Sequence, residues 1–261
     1  MKIIVLLASL LSIQLFGQQK EFIMMPGSQK TLTPEDRTLS VRTFTLGDNC
    51  IIIIPPTMDG WTVTAAEASI GTNVKIIGQM TAGTFGYSGV SAANSMTCTQ
   101  GMSGVAGSNG SAGSAGKNIF MNLRLRKMGT LLITVSGAPG GGGGQGGNGG
   151  AGGDATCTCN AGAGGNGGNG GRGGNGGNGG TVTISFSPMG SITVNNNNFV
   201  VENNGGQAGK GGTAGTGGRG GNLTCTDPKA VKRLPGVMGR NGMPGADGTA
   251  GIKGVYTLQS K

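Results

Sequence analysis

Hydrophobic and polar residues alternate with period two in three stretches of this chain. Val182, Ile184 and Phe186 fall on one side, with Thr181, Thr183, Ser185 and Ser187 on the other. Ile119, Met121, Leu123 and Leu125 alternate with Asn122, Arg124 and Arg126, and Trp61, Val63 and Ala65 make a shorter copy. Alternation of this kind predicts strands. Each stretch runs into a Gly followed by a small hydroxyl residue, at Gly71-Thr72, Gly129-Thr130 and Gly190-Ser191. Alternating apolar residues then resume: Val74 and Ile76, then Leu131, Ile133 and Val135, then Ile192 and Val194. The pattern predicts three units, each opening with a β-hairpin closed by a Gly turn.

Between the strands the period changes to three. Glycine stands at every third position from Gly101 to Gly116, from Gly206 to Gly221 and from Gly236 to Gly254, and a shorter series is Gly83, Gly86 and Gly89. In the middle unit, 140–153 and 164–180, two residues in three are glycine; Gln145, Asn148, Asn166, Asn169, Arg172, Asn175 and Asn178 are among the third. Period three fits neither an α-helix nor a strand, but an extended threefold helix of polyproline-II geometry. Such a helix has no internal hydrogen bonds, so its amides and carbonyls need neighbours. Collagen shares the period, yet the runs hold only Pro139, Pro235 and Pro244. A disordered linker does not recur between matched strands. The expectation is a bundle in which each unit sends out one Gly-rich helix and returns along another.

A Thr-Cys-Thr triplet divides each pair of runs, centred on Cys98, Cys157 and Cys225, which places the tips at 97–99, 156–159 and 224–226. The middle tip also carries Cys159. A central tip between two neighbours predicts that Cys98 pairs with one of Cys157 and Cys159, and Cys225 with the other. Each bridge would close a loop of about 60 residues, for roughly 2–4 kcal/mol. Cys50, beside Ile51 to Ile54, reads as a buried thiol. A zinc site is a poor fit, because the sequence has no histidine.

Residues 1–17 read as a signal peptide, with Lys2 at the start, an apolar stretch from Ile3 to Leu15, and Gly17 before the cut. With Gln18 and Gln19 following, it resembles leaders of Bacteroidota-type bacteria. The expected location is extracellular or on the cell surface. Residues 18–78 then form an N-terminal β region and 79–261 the repeated part. No later stretch is long enough to span a bilayer.

Composition narrows the function further. The chain has 261 residues, 59 of them glycine, one tryptophan and a formal net charge of +9. Without histidine, imidazole catalysis and histidine metal sites cannot be built. Acidic residues show no paired spacing, and no phosphate-loop ending follows the Gly runs. The expectation is therefore a non-enzyme with no cofactor and no metal. The positive charge lies in residues 91–261, compatible with anionic glycans, while nothing matches a nucleic-acid motif.

Gly140–Gly153, Gly164–Gly180 and Gly206–Gly221, with their Asn, Gln and Arg interruptions, resemble polyglycine-II proteins: the glycine-rich adhesins on tail fibres of T-even-type phages and the glycine-rich antifreeze proteins of springtails. The implied fold class is all-β plus a polyglycine-II helix bundle, as three β-hairpins each followed by an out-and-back helix pair. The phage resemblance implies a structural or adhesive module whose tip loops bind a surface glycan or protein, or which associates with its own copies. The tip candidates are Gln100, Asn160, Asp227, Lys229, Lys232 and Arg233. The antifreeze resemblance implies an ice face, but the mixed Lys210, Thr213, Thr216 and Arg219 do not make a regular one.

Overall fold

The structure is a computed structural model that describes residues 19–226 and 232–261. The leader, residues 1–17, lies outside the described residues. The strands, in chain order, are β1 (Gln19–Met24), β2 (Gln29–Thr31), β3 (Thr38–Leu46), β4 (Ile51–Ile54), β5 (Gly60–Ile70), β6 (Val74–Gly78), β7 (Asn118–Met128), β8 (Leu131–Thr134), β9 (Val182–Pro188), β10 (Phe199–Glu202) and β11 (Tyr256–Ser260). The odd-numbered strands form a six-stranded sheet in order β1-β3-β5-β7-β9-β11; the even-numbered ones form a five-stranded sheet in order β10-β8-β6-β4-β2.

Every neighbouring pair in both sheets is parallel. Parallel neighbours need a crossover, and here the crossover of one sheet contains a strand of the other. The chain therefore advances by one rung with each circuit. Apolar faces of the two sheets meet in one core. Ile119, Met121, Leu123 and Leu125 of β7 point into it, as do Val182, Ile184 and Phe186 of β9. Phe22, Phe44 and Trp61 stack through successive rungs, with ring centroids 5.4 Å and 6.1 Å apart for Phe22–Phe44 and Phe44–Trp61.

This corrects the expected hairpins. β5 and β6 do not pair with each other, and neither do β7 and β8. Period-two alternation ordinarily marks antiparallel sheets with one wet face, because most parallel sheets are buried on both sides. Here each parallel sheet buries one face only, so Asn122, Arg124 and Arg126 stay exposed and the sequence carries the antiparallel signature. The first two Gly landmarks are corners that stack rung on rung, whereas Gly190 has a φ of 76° and open space where a Cβ would stand. A Cβ on Gly71 would collide with Gly47 and Asp48, and one on Gly129 would collide with Gly71. In the third unit Ile192 and Val194 pack against the core without forming a strand. The chain takes a wider corner through the 3-10 turn Asn196–Asn198, anchored by Asn198 Nδ2 donating to the Gly129 carbonyl at 2.7 Å, and β10 follows.

The expected helix bundle is corrected as well. Among the described residues the only helical elements are two short 3-10 turns, Pro34–Arg37 and Asn196–Asn198. The Gly-rich stretches are extended segments that leave the sheets from three consecutive rungs. We call them run a (79–97), run b (99–117), run c (135–156), run d (160–181), run e (203–224) and run f (232–255). Their repeating backbone bonds link one run to another. Outgoing runs bond in parallel: Gly86 N donates to Gly142 O, and Gly143 N to Lys210 O, both at 2.8 Å. Returning runs do the same, with Gly107 N to Asn169 O and Gly170 N to Met243 O, again at 2.8 Å. Outgoing and returning runs are joined antiparallel, as by Gly144 N to Ser108 O and Gly171 N to Gly144 O, both 2.8 Å. In each of these series the register advances by three residues per bond.

Glycine content follows the number of bonded sides. Run c is bonded to a, b, d and e, whereas run a is bonded only to b and c. In run c, a Cβ at Gly140, Gly143, Gly146 or Gly149 would enter the backbone of run d, and one at Gly141, Gly144 or Gly147 that of run a. Only the third position faces solvent, and it is there that Gln145 and Asn148 stand.

Two alanine substitutions separate packing from composition. Gly171→Ala places a methyl against the Ser108 carbonyl. It should cost about 3 kcal/mol or more, a fall in melting temperature of roughly 6–12 °C. At Gly142 the new methyl meets the exposed Phe85 ring at 3.0 Å, which can move aside. Gly142→Ala should fall within about 1 kcal/mol of wild type. Thermal and denaturant unfolding of both variants checks the difference.

Candidate functional site

The tips of the three excursions lie together at the end of the runs remote from the sheets. Cys98 is disulfide-bonded to Cys159, and Cys157 to Cys225, with Cα–Cα distances of 5.9 Å and 4.9 Å. The middle tip is thus bound to both neighbours. Cys98 itself has a φ of 64°, the left-handed conformation that a side chain adopts at a cost of about 1–3 kcal/mol. Hydrogen bonds close the turn around it, with Cys98 N donating to Asp154 O at 3.0 Å and Thr99 Oγ1 to Met96 O at 2.6 Å. Cys50 is a free thiol, buried in the sheet core and directed at the Met25 carbonyl at 3.0 Å.

The candidate tip residues divide by what their side chains already hold. Arg233 donates from Nε and Nη2 to the Cys157 carbonyl at 3.4 Å and 3.2 Å. Asn160 Oδ1 accepts from Leu234 N at 3.3 Å. Both side chains therefore fasten run f to the middle tip. Gln100 and Lys232 are exposed at the tip. Only the main-chain carbonyl of Gln100 is used, accepting from Ser95 Oγ at 2.7 Å. Asp227 and Lys229 lie outside the described residues.

A set of residues that sequence reasoning passed over does related work along the runs. In run f only the glycine amide of each triplet donates to the backbone of run e, so an outward amide is left on each turn. Asn166, Asn169, Asn175 and Asn178 accept these through Oδ1, from the amides of Arg240, Met243, Thr249 and Ile252, at 2.8–3.0 Å. Asn148 does the same for Thr216, and Asn109 for Arg172. The signal was present in the recurrence of Asn at every third place, but a polar residue on a wet face reads first as solubility.

Run f also closes the edge of run e. Asp247 accepts from Lys210 Nζ and from Gly211 N, both at 2.8 Å. The Lys210 hydrogen bond, followed by that from the Gly211 amide, holds the Asp247 carboxyl below its usual range, and the same pair raises Lys210. At the sheet end, burial pushes Lys117 down, opposed by the nearby Asp59 charge. Among the described residues no group of three or more metal-ligating side chains converges, and no helix is long and apolar enough to cross a membrane. No family model, curated protein or solved structure matches the chain, so its function has to be argued from this geometry.

Peptide mapping without reduction should recover Cys98 joined to Cys159 and Cys157 joined to Cys225, with Cys50 alkylated only after denaturation. A depressed carboxyl stabilises the folded state above its unfolded pKa and loses that contribution as pH falls through the folded value. The Asp247 cap on Gly211 should therefore hold through the ordinary carboxylate range and fail only below it. The amide shift of Gly211 across an acid titration reads this directly, and Asp247→Ala should abolish it.

Proposed function

We propose that the protein is a secreted or surface-displayed structural module that holds an adhesive tip away from its sheet domain. The observation that carries this reading is the tip itself. Three excursions, each leaving the five-stranded sheet and returning to the six-stranded one, end together and are joined there by both disulfides. The bonded register from Gly116 to Gly101 covers fifteen residues, roughly 45 Å of extended chain. The convergence of the excursions sets one shared surface at the end remote from the sheets. The leader pattern in residues 1–17 and the disulfides support placement outside the cytoplasm. The resemblance in repeat type to phage adhesins supports the adhesive role.

The surface offered for binding is the exposed part of the tip, where the Gln100 and Lys232 side chains are exposed and make no hydrogen bond among the described residues. The basic excess of residues 91–261 favours an anionic glycan over a neutral one. Lys232→Glu with Gln100→Ala should lower binding of the purified protein to cells, and to anionic members of a glycan panel, by about tenfold or more. The melting temperature should stay unchanged, because neither side chain holds the tip together. Undiminished binding by this variant would overturn the reading. Arg233 is unsuitable for the test, since it secures the Cys157 carbonyl.

A further inference from the structure

An asparagine followed by glycine is prone to lose its side-chain amide, because the attacking glycine nitrogen has no side chain to shield it. The chain holds eight Asn-Gly pairs, at Asn109, Asn148, Asn166, Asn169, Asn175, Asn178, Asn204 and Asn241. In six of them the array holds both reacting groups on a single residue of a neighbouring run. Asn166 Oδ1 accepts the Arg240 amide at 2.9 Å while Gly167 N donates to the Arg240 carbonyl at 2.8 Å. Asn109, Asn148, Asn169, Asn175 and Asn178 repeat this on Arg172, Thr216, Met243, Thr249 and Ile252. At the seventh pair, Asn241 Oδ1 accepts from Gly217 N at 2.8 Å and Gly242 N donates to Gly215 O at 2.9 Å.

Asn204 differs from all seven. Its side chain is exposed, and among the described residues its Oδ1 accepts no hydrogen bond and Gly205 N has no acceptor. The reason lies in run f. Gly211 and Gly217 of run e direct their outward amides at Asp247 and Asn241. The same register sets Lys253 opposite Gly205, and a lysine has no acceptor to offer. Hydrogen bonds at the reacting groups have to open before a ring can close. At this pair the Asn204 carbonyl alone is bonded, accepting from Gly137 N at 2.8 Å. Two bonds hold the pairs at Asn109 and Asn241. Three hold each of the other five, whose Asn carbonyls also accept an amide from run a or run b.

We propose that Asn204 is a self-modification site, at which the side-chain amide is converted to a carboxylate. Gly205 N gives up its proton to solvent and bonds to Asn204 Cγ; the Cγ–Nδ2 bond breaks and ammonia leaves. Water then opens the five-membered imide at either carbonyl, leaving aspartate or isoaspartate. Ammonia is exchanged for water, with no oxidation or reduction. Isoaspartate adds one carbon to the main chain at the root of run e, close to Gly206, whose amide donates to Gly177 O at 2.7 Å. The other seven pairs are kept as asparagine by the bonds that hold their runs together. The inference does not depend on the tip binding a ligand.

Ageing the oxidised full chain in mildly alkaline buffer, well below its melting temperature, tests this. Peptide mapping with electron-transfer fragmentation localises each conversion. In the folded chain Asn204 should convert first, Asn109 and Asn241 later and the other five last, each further hydrogen bond slowing the reaction about fivefold. In denaturant all eight should convert at similar rates. Lys253→Asp supplies Gly205 with the carboxylate that Asp247 supplies to Gly211. It should protect the Gly205 amide from hydrogen exchange and slow conversion of Asn204 about fivefold, with the melting temperature unchanged or raised. Equal rates at all eight pairs in the folded chain overturn the inference, and so does an Asn204 that stays intact while the denatured chain reacts. A Lys253→Asp variant that protects the Gly205 amide without slowing Asn204 overturns it as well.

Discussion

A backbone amide in one extended run can reach the carbonyl of the next only if no Cβ stands between them. The whole array rests on that condition. Each bond between runs measures about 2.8 Å, and a methyl built on almost any glycine of runs c and d would land on a neighbouring carbonyl. Glycine is normally the most expensive residue to order, because it gives up the most backbone freedom. Here the expense is offset by hydrogen bonds on several sides at once, and the bond density is highest where glycine is densest. On the wet face some of the leftover amides are taken by Asn, or by Ser of run b, and the others are left to solvent.

The parallel sheets supply what the runs cannot supply for themselves. Isolated glycine chains have no preferred register or partner. Stacked rungs bring the chain out at successive heights, so that a, c and e leave side by side and b, d and f return side by side. Both constant registers, parallel among like runs and antiparallel between unlike ones, follow from that starting point. The apolar core between the sheets, built on Trp61, Phe44 and the Ile and Leu residues of β4 to β8, carries the hydrophobic stabilisation that the glycine array lacks. At the other end the disulfides hold the three tips together. The array is therefore fixed at both ends and bonded throughout its length.

Much of this was written plainly in the chain, and some of it could not be. Strands over Ile119 to Leu125 and Val182 to Phe186 are visible because one face is buried and the other wet. Their pairing is not visible. Alternation reports burial of one face, and it does so whether the neighbour is the next strand in the chain or the strand one rung away. Gly71 and Gly129 looked like turn residues, yet neither has a positive φ; they are small because the corner of another rung sits against them. At the tip, the residue types suited to binding were recognisable, but Arg233 and Asn160 turn out to hold carbonyl and amide groups of the tip. Which polar side chain is spent internally depends on contacts between segments more than seventy residues apart, and no local pattern records them.

Amide hydrogen exchange, resolved by residue, tests the central claim most directly. In run c the amides of Gly143 and Gly144 donate to Lys210 and Ser108, whereas that of Gln145 has no backbone acceptor. In run d, Gly170 and Gly171 are bonded to Met243 and Gly144, and Arg172 is met only by the Asn109 side chain. The account predicts protection with period three along both runs, with two slow amides followed by one fast, at levels that persist until global unfolding. Uniformly fast exchange across 140–153 and 164–180, with protection confined to the sheets, would contradict it.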